Sequence, residues 1–177
     1  MSNYTNRANG LLLEPADHAL GRSRGGLSTK IHQLVDRHCR PLVVIIGPGQ
    51  GGDSPMLPHL LSQLRVARLG PGRPRTRPDQ VLGDKAYSSH ANRALLRSRG
   101  IKATITQPAD QQANRKRRGR AGGRPPAFDA NLYKGRNVVE RAFNRIKDWR
   151  GLATRYDKLA TTYCGGVVLR AITLWLN

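Results

Sequence analysis

The chain has 177 residues, 31 Lys+Arg against 11 Asp+Glu, a formal net charge of +20 and two cysteines. The length suits one domain, with or without a tail. No stretch reaches the roughly 18 apolar residues that a membrane span needs, and Cys39 and Cys164 form neither a metal-ligand pattern nor a disulfide framework, which points to a reducing compartment. A one-signed charge of this size attracts polyanions, and nucleic acid is the first partner it suggests. Arginine outnumbers lysine 24 to 7. A GC-rich genome explains that ratio, but it does not explain the scarcity of acids.

Residues 1–26 read as a poorly ordered start followed by a loop. The start carries no cleavage signature. GRSRGG, Gly21 to Gly26, sets two arginines on a glycine-rich backbone, either a flexible turn or a segment that approaches a phosphate closely. LSTKIHQLV (Leu27 to Val35) alternates as a strand, and LVVIIG (Leu42 to Gly47) reads as a buried strand. Together they predict an antiparallel hairpin, with His32 packed within it. GPGQGGDSP lacks the GK[ST] ending of a phosphate loop. It predicts a turn into a helix reaching about Leu64, capped by Asp53 or Ser54. Arg65 to Pro78 is too punctuated by Pro and Gly for regular structure.

Gln80 to Gly83 predicts a short strand ending at Asp84. Ser88 or Ser89 caps the next helix, Gly100 ends it, and Ile101 to Thr106 is another strand. Asp84 then lies where a strand hands over to a helix, and sites in open α/β sheets gather at the carboxyl ends of strands. Residues 107–128 hold Arg115, Lys116, Arg117, Arg118, Arg120 and Arg124 with almost no apolar residues. This composition predicts a mobile basic loop that orders on DNA or RNA. Tyr133 to Lys147 predicts a helix. One stripe carries Tyr133, Arg136, Glu140 and Lys147, and a second carries Val138, Val139, Ala142, Phe143, Ile146 and Trp149. A last helix, about Leu159 to Leu176, is expected to close the core with Val167, Val168, Leu169, Ile172, Trp175 and Leu176. Cys164 reads as a core thiol.

Most of the nine aspartates fit turns, caps or solvated positions; Asp84 and Glu140 remain. If they meet in space, they make a hard-oxygen site suited to Mg²⁺ or Mn²⁺. In a strongly basic protein such a site favours phosphodiester chemistry, with Arg136 and Lys147 holding phosphates. The plainer reading is an Arg136–Glu140 pair at i,i+4, worth about 0.2–0.5 kcal/mol. Spacing alone leaves both readings open.

Tyr133, Arg136, Glu140 and Lys147 follow the spacing Y-(2)-R-(3)-E-(6)-K. This resembles the signature of bacterial insertion-sequence transposases, the IS-four and IS-five groups of the DDE class. GRSRGGLSTKIH, PGQGGDSP, VLGDKAYSS, GIKATI, RRGRAGGRPPAFD and RNVVERAFNRIKDWRGLATRYDK resemble the same family in the same order, over about Glu14 to Asn177. The resemblance implies an α/β, ribonuclease H-like mixed sheet flanked by helices. It implies metal-dependent cleavage and strand transfer at element ends, with two Mg²⁺ or Mn²⁺ ions held by three carboxylates. Asp84 matches the second aspartate and Glu140 the glutamate. Tyr133, Arg136 and Lys147 match residues that position DNA. Expected partners are double-stranded DNA, at element ends and target, and further copies of the chain on it, in the bacterial cytoplasm with the nucleoid.

The first aspartate of such enzymes lies on a strand upstream of the GRSRGG segment. The twenty residues before that segment do not read as such a strand, and Asp17 matches a family loop. The expectation is therefore a partial catalytic domain over 27–177 that lacks its first strand and is incomplete alone. It would be a second reading frame joined by frameshifting or a decayed gene. The alternative is a non-enzymatic basic DNA-binding fragment, or an inhibitor of the intact transposase. Without the first strand, the strand beginning near Leu27 is expected to present an open edge, favouring poor solubility or oligomers.

Overall fold

The structure, a computed structural model, describes residues 7–8 and 11–176, with side chains from Leu13 to Leu176. In chain order its elements are β1 (Arg7–Ala8), β2 (Leu11–Leu12), β3 (Gly21–Ser23), β4 (Gly26–Val35), β5 (Pro41–Pro48), α1 (Met56–Gln63), β6 (Gln80–Gly83), α2 (His90–Ser98), β7 (Lys102–Ile105), α3 (Ala109–Arg117), α4 (Ala130–Lys134), α5 (Asn137–Lys147), α6 (Arg150–Ala153) and α7 (Ala160–Leu176). They divide into two units. One takes the chain up to Thr76 and again from Asn137, and the other is Arg77–Arg136. No helix among the described residues is long and apolar enough to cross a membrane.

The first unit is a three-stranded antiparallel sheet, ordered β3-β4-β5, between helices. Val43 and Ile45 of β5 pack on Met56 and Leu60 of α1 and on Leu64. Val44 and Ile46, with Ile31 of β4, pack on Ile146, Leu152, Tyr163, Val167 and Leu174 from the opposite side. Burial on both faces explains the unbroken apolar run in β5, where a one-sided strand would alternate. Each of these side chains contributes about 1.5–3 kcal/mol on burial. The predicted hairpin is present, in register Thr29↔Pro48 to Leu34↔Val43, with a bulge at Leu34/Val35. His32 and Cys164 are buried, as packed residues.

The poorly ordered start falls partly outside the described residues. Gly21–Ser23 is a strand, not a loop: it pairs with Gly26–Ser28, so β4 near Leu27 is covered. Further along, alternation turns the backbone N–H and C=O of Ile31, Gln33 and Val35 away from β5. No strand among the described residues pairs there. Helix α1 begins at Met56 after Pro55, with no side-chain cap. Asp53 instead accepts from Lys30 Nζ at 3.2 Å and lies 3.6 Å from His32 Nδ1.

The last helix does close the core, but with its other face. Ala160, Tyr163, Cys164, Val167, Ala171 and Leu174 are buried. Of the six residues expected inside, Val168, Leu169, Ile172, Trp175 and Leu176 are exposed. The start of α7 is capped from far away in sequence. Glu14 accepts from Ala160 N at 2.7 Å and from Thr161 N at 2.9 Å, and from the Thr161 hydroxyl at 2.8 Å.

The second unit is a strand–helix–strand unit with β6 and β7 parallel, Gln80↔Lys102 to Gly83↔Ile105. Ser89 caps α2 through Asn92 N, as the sequence predicts. Gly100 ends the helix at φ 64°, a left-handed conformation that glycine adopts without strain. Leu96, Ile101 and Ile105 form its buried centre.

Candidate active site

Asp84 follows β6 directly. Its Oδ1 accepts from Ala86 N at 2.6 Å and caps a 3₁₀ turn, Lys85–Tyr87. The turn starts there because Asx side chains bond the backbone two residues on. Gly83 lets it pack: a Cβ there would lie 3.3 Å from Ile105 Cγ1. Asp84 is half-buried and opens on a cleft of about 540 Å³, lined also by Lys85, Ala86, Gln107, Pro108, Ala109 and Gln112. The cleft sits at the carboxyl ends of the two parallel strands, where the sequence reading placed a site.

The far wall of the cleft departs from the mobile loop expected over 107–128. Residues 107–128 are not loop throughout. Ala109–Arg117 is α3 and Gly119–Gly122 is a 3₁₀ turn. Ala, Gln, Lys and Arg favour helix. Asp110 in the first turn and Arg115, Lys116 and Arg117 in the last complement the helix dipole. The helix buries no residue. It is held by polar contacts instead: Ser88 Oγ donates to Gln111 Oε1 at 2.8 Å, Gln112 Nε2 to Gln107 O at 2.9 Å, and Arg115 Nη1 to Gln107 Oε1. Gly122 is needed where the chain folds back, since a Cβ there would lie 2.2 Å from Arg115 O. Arg115 is thereby half-buried, while Lys116, Arg117, Arg118, Arg120 and Arg124 are exposed.

The single helix predicted over Tyr133 to Lys147 is two. Asp129 caps α4 by accepting from Asn131 N and Leu132 N. The backbone then tightens into i→i+3 bonds, Gly135 N to Leu132 O and Arg136 N to Tyr133 O. Glycine is the weakest helix residue apart from proline, and the break falls on it. Tyr133 and Arg136 therefore lie before the break and Glu140 and Lys147 after it. The structure brings the first two together, with the Arg136 guanidinium 5.8 Å from the Tyr133 ring centre. On α5, Ala142 and Ile146 face the core, while Glu140 in the first turn and Lys147 in the last are exposed. Val138, Val139 and Phe143 are half-buried, and Trp149, past the end of α5, is exposed. Asp84 belongs to the second unit and Glu140 to the first.

Sequence reasoning passed over the roles of Lys85, Gln107 and Gln112 beside Asp84. The first follows Asp84 directly, but nothing local marks the two glutamines, which arrive from beyond β7. As ligands, the carboxylates of Asp84 and Glu140 have the hard oxygens that Mg²⁺ and Mn²⁺ prefer. Their number does not suffice alone: among the described residues no three His, Cys, Asp or Glu side chains gather as a metal site.

The family described as "Transposase DDE domain" matches residues 14–176. A Brucella ovis protein named as the candidate transposase of insertion sequence element IS6501 is 34% identical over 151 residues. That alignment covers 85% of this chain and all of the relative. No solved structure matches. Transposases of this family bind DNA and generally use divalent metal ions. With nearly the whole chain matched, and Asp84 at the end of a parallel strand beside an open cleft, the protein belongs to the DDE transposases of insertion sequences.

Proposed function

We propose that this chain contributes Asp84 and Glu140 to a divalent-ion site that cleaves DNA at the ends of its element and transfers the freed strand to a target. The observation that carries this is the position of Asp84, at the carboxyl end of a parallel strand and open to a cleft of about 540 Å³. A ribonuclease H-like arrangement of the mixed α/β fold belongs to the same reading. When bound, two such ions activate the attacking oxygen and stabilise the leaving one. The assignment covers two of three carboxylate positions. Tyr133, Arg136 and Lys147 hold DNA near the site. Arg115, Lys116, Arg117, Arg118 and Arg120, on or after α3, hold phosphates of double-stranded DNA at element ends and target, on the nucleoid.

The net charge of +20, which favours DNA binding without requiring any chemistry, supports a second reading for the isolated chain. In that reading it binds DNA without cutting it and can inhibit the intact transposase. Purified protein, labelled element-end duplex and Mg²⁺ or Mn²⁺ separate the two. The first reading predicts ion-dependent nicking, weak for this chain alone with two of the three carboxylates, that Glu140→Gln abolishes while DNA binding persists. Binding with no nicking under any ion selects the second. Absence of binding at low salt rejects both.

A further inference from the structure

Helix α7 is apolar on two opposite faces. The inward face carries Tyr163, Val167, Ala171 and Leu174. The outward face repeats at spacings of three and four: Thr162, Gly165, Leu169, Ile172 and Leu176. At 100° per residue these five lie within about 80° of one another, with Val168 and Trp175 beside them. Leu169 is 55% exposed, Ile172 50% and Leu176 80%. A helix apolar all round is one that is buried all round, and a three–four spacing is the seam a second helix fills.

We propose that this face is the contact between two copies of the chain, α7 packing on its symmetry mate about a two-fold axis. Three observations select a second copy as the occupant. First, the stripe is uncharged in a chain of +20. Two copies repel over most of their surface and approach at least cost across a neutral face. The one charged residue of α7, Arg170, is turned aside, donating to Arg145 O at 2.9 Å with Asp148 3.6 Å away. Second, the seam has no charge to select an oppositely charged partner, whereas a two-fold contact needs only a patch complementary to itself. Gly165 lies in its amino-terminal half, and a Cβ there would meet nothing within 4 Å, so two backbones can approach closely. Third, Leu169, Ile172 and Leu176 with the adjoining Val168 and Trp175 expose roughly 500 Å² per copy, about 1,000 Å² per pair, the lower bound of a specific interface. A patch this size matches the largest that a monomer usually leaves contiguous, and such patches are often functional. The inference does not rest on the DNA chemistry and survives its failure.

The test is sedimentation velocity on the full chain over about 1–100 µM, in salt near 0.5 M to screen residual nucleic acid. The expected mass rises from 19.5 kDa to twice that value and stops there. Leu169→Glu with Ile172→Glu weakens self-association at least about 30-fold, because it sets four charges in an apolar seam. Ser62→Glu, on exposed α1 surface, leaves it unchanged. Both substituted positions in α7 are exposed, so the thermal melt followed by circular dichroism stays within a few degrees of the parent. As an independent reading, mild oxidation of Leu169→Cys gives a covalent dimer. A monomer at every concentration overturns the proposal. So does association that the glutamates leave intact, which would point to the open edge of β4, or growth past the dimer.

Discussion

Glu14→Gln tests whether one side chain fastens the beginning of the first unit to its last helix. Burial pushes the Glu14 carboxyl up, but the Thr161 and Ala160 backbone N–H groups, His18 and the Thr161 hydroxyl outweigh it and hold it at about 2, below an ordinary 4.5. The unfolded chain therefore takes up a proton at a higher pH than the folded one. Stability from this group is complete above pH 4.5 and is lost as pH falls from there towards 2. The shift corresponds to about 3 kcal/mol at 1.36 kcal/mol per unit. The side chain is 25% exposed, so solvent screening brings the expected figure nearer 2 kcal/mol. Urea unfolding of both proteins at a series of pH values from 7 to 2.5 reads it directly. The variant should be about 2 kcal/mol less stable at pH 7, with the gap closing as pH falls through the carboxylate range. A gap that stays constant over that range would refute the reasoning, and so would a variant as stable as the parent at pH 7.

Burial depresses the His32 imidazole below 6.5, Asp53 raises it in part and Lys30 lowers it. Unfolding then binds a proton, and stability should decline as pH drops through 6.5; His32→Gln should flatten that slope, and an unchanged slope would contradict it. Gln33 is 8% exposed with both amide atoms unpaired among the described residues. Gln33→Met should raise unfolding free energy by about 1–2 kcal/mol, and a lower melting temperature would count against this. If α3 lies along DNA, Lys116→Ala, Arg117→Ala and Arg118→Ala together should reduce the log–log salt slope of binding by up to about 2.7. An unaltered slope would move the DNA contact elsewhere.

What the sequence revealed was mostly what is local. The β6–α2–β7 unit was legible because its signals lie within a few residues: Ser89 before the helix, Gly100 after it, and Asp84 after a short apolar run. The hairpin of β4 and β5 was legible for the same reason. Helix α3 was hidden because charge density spoke for a loop, while its stability comes from good helix formers and from contacts of Gln107 and Ser88 that composition does not show. The break at Gly135 was hidden because the 3.6-residue pattern runs on through it. In α7 both faces are apolar, so periodicity could not tell which faces inward. The cap from Glu14 spans 146 residues, beyond any local pattern. Asp84 and Glu140 were selected by elimination and resemblance. The fold adds the cleft beside the first, and it adds Lys85, Gln107 and Gln112 as its walls.

The central claim is that Asp84 and Glu140 do the chemistry of transposition. The most direct measurement is the transposition frequency of the complete element in cells, with Asp84→Asn or Glu140→Gln placed in its own coding sequence. Each change should lower the frequency on the order of 10³-fold, the scale of losing a group used in the reaction, while protein level and element-end binding stay within about twofold. An element that moves at the parental frequency with either substitution would contradict the assignment.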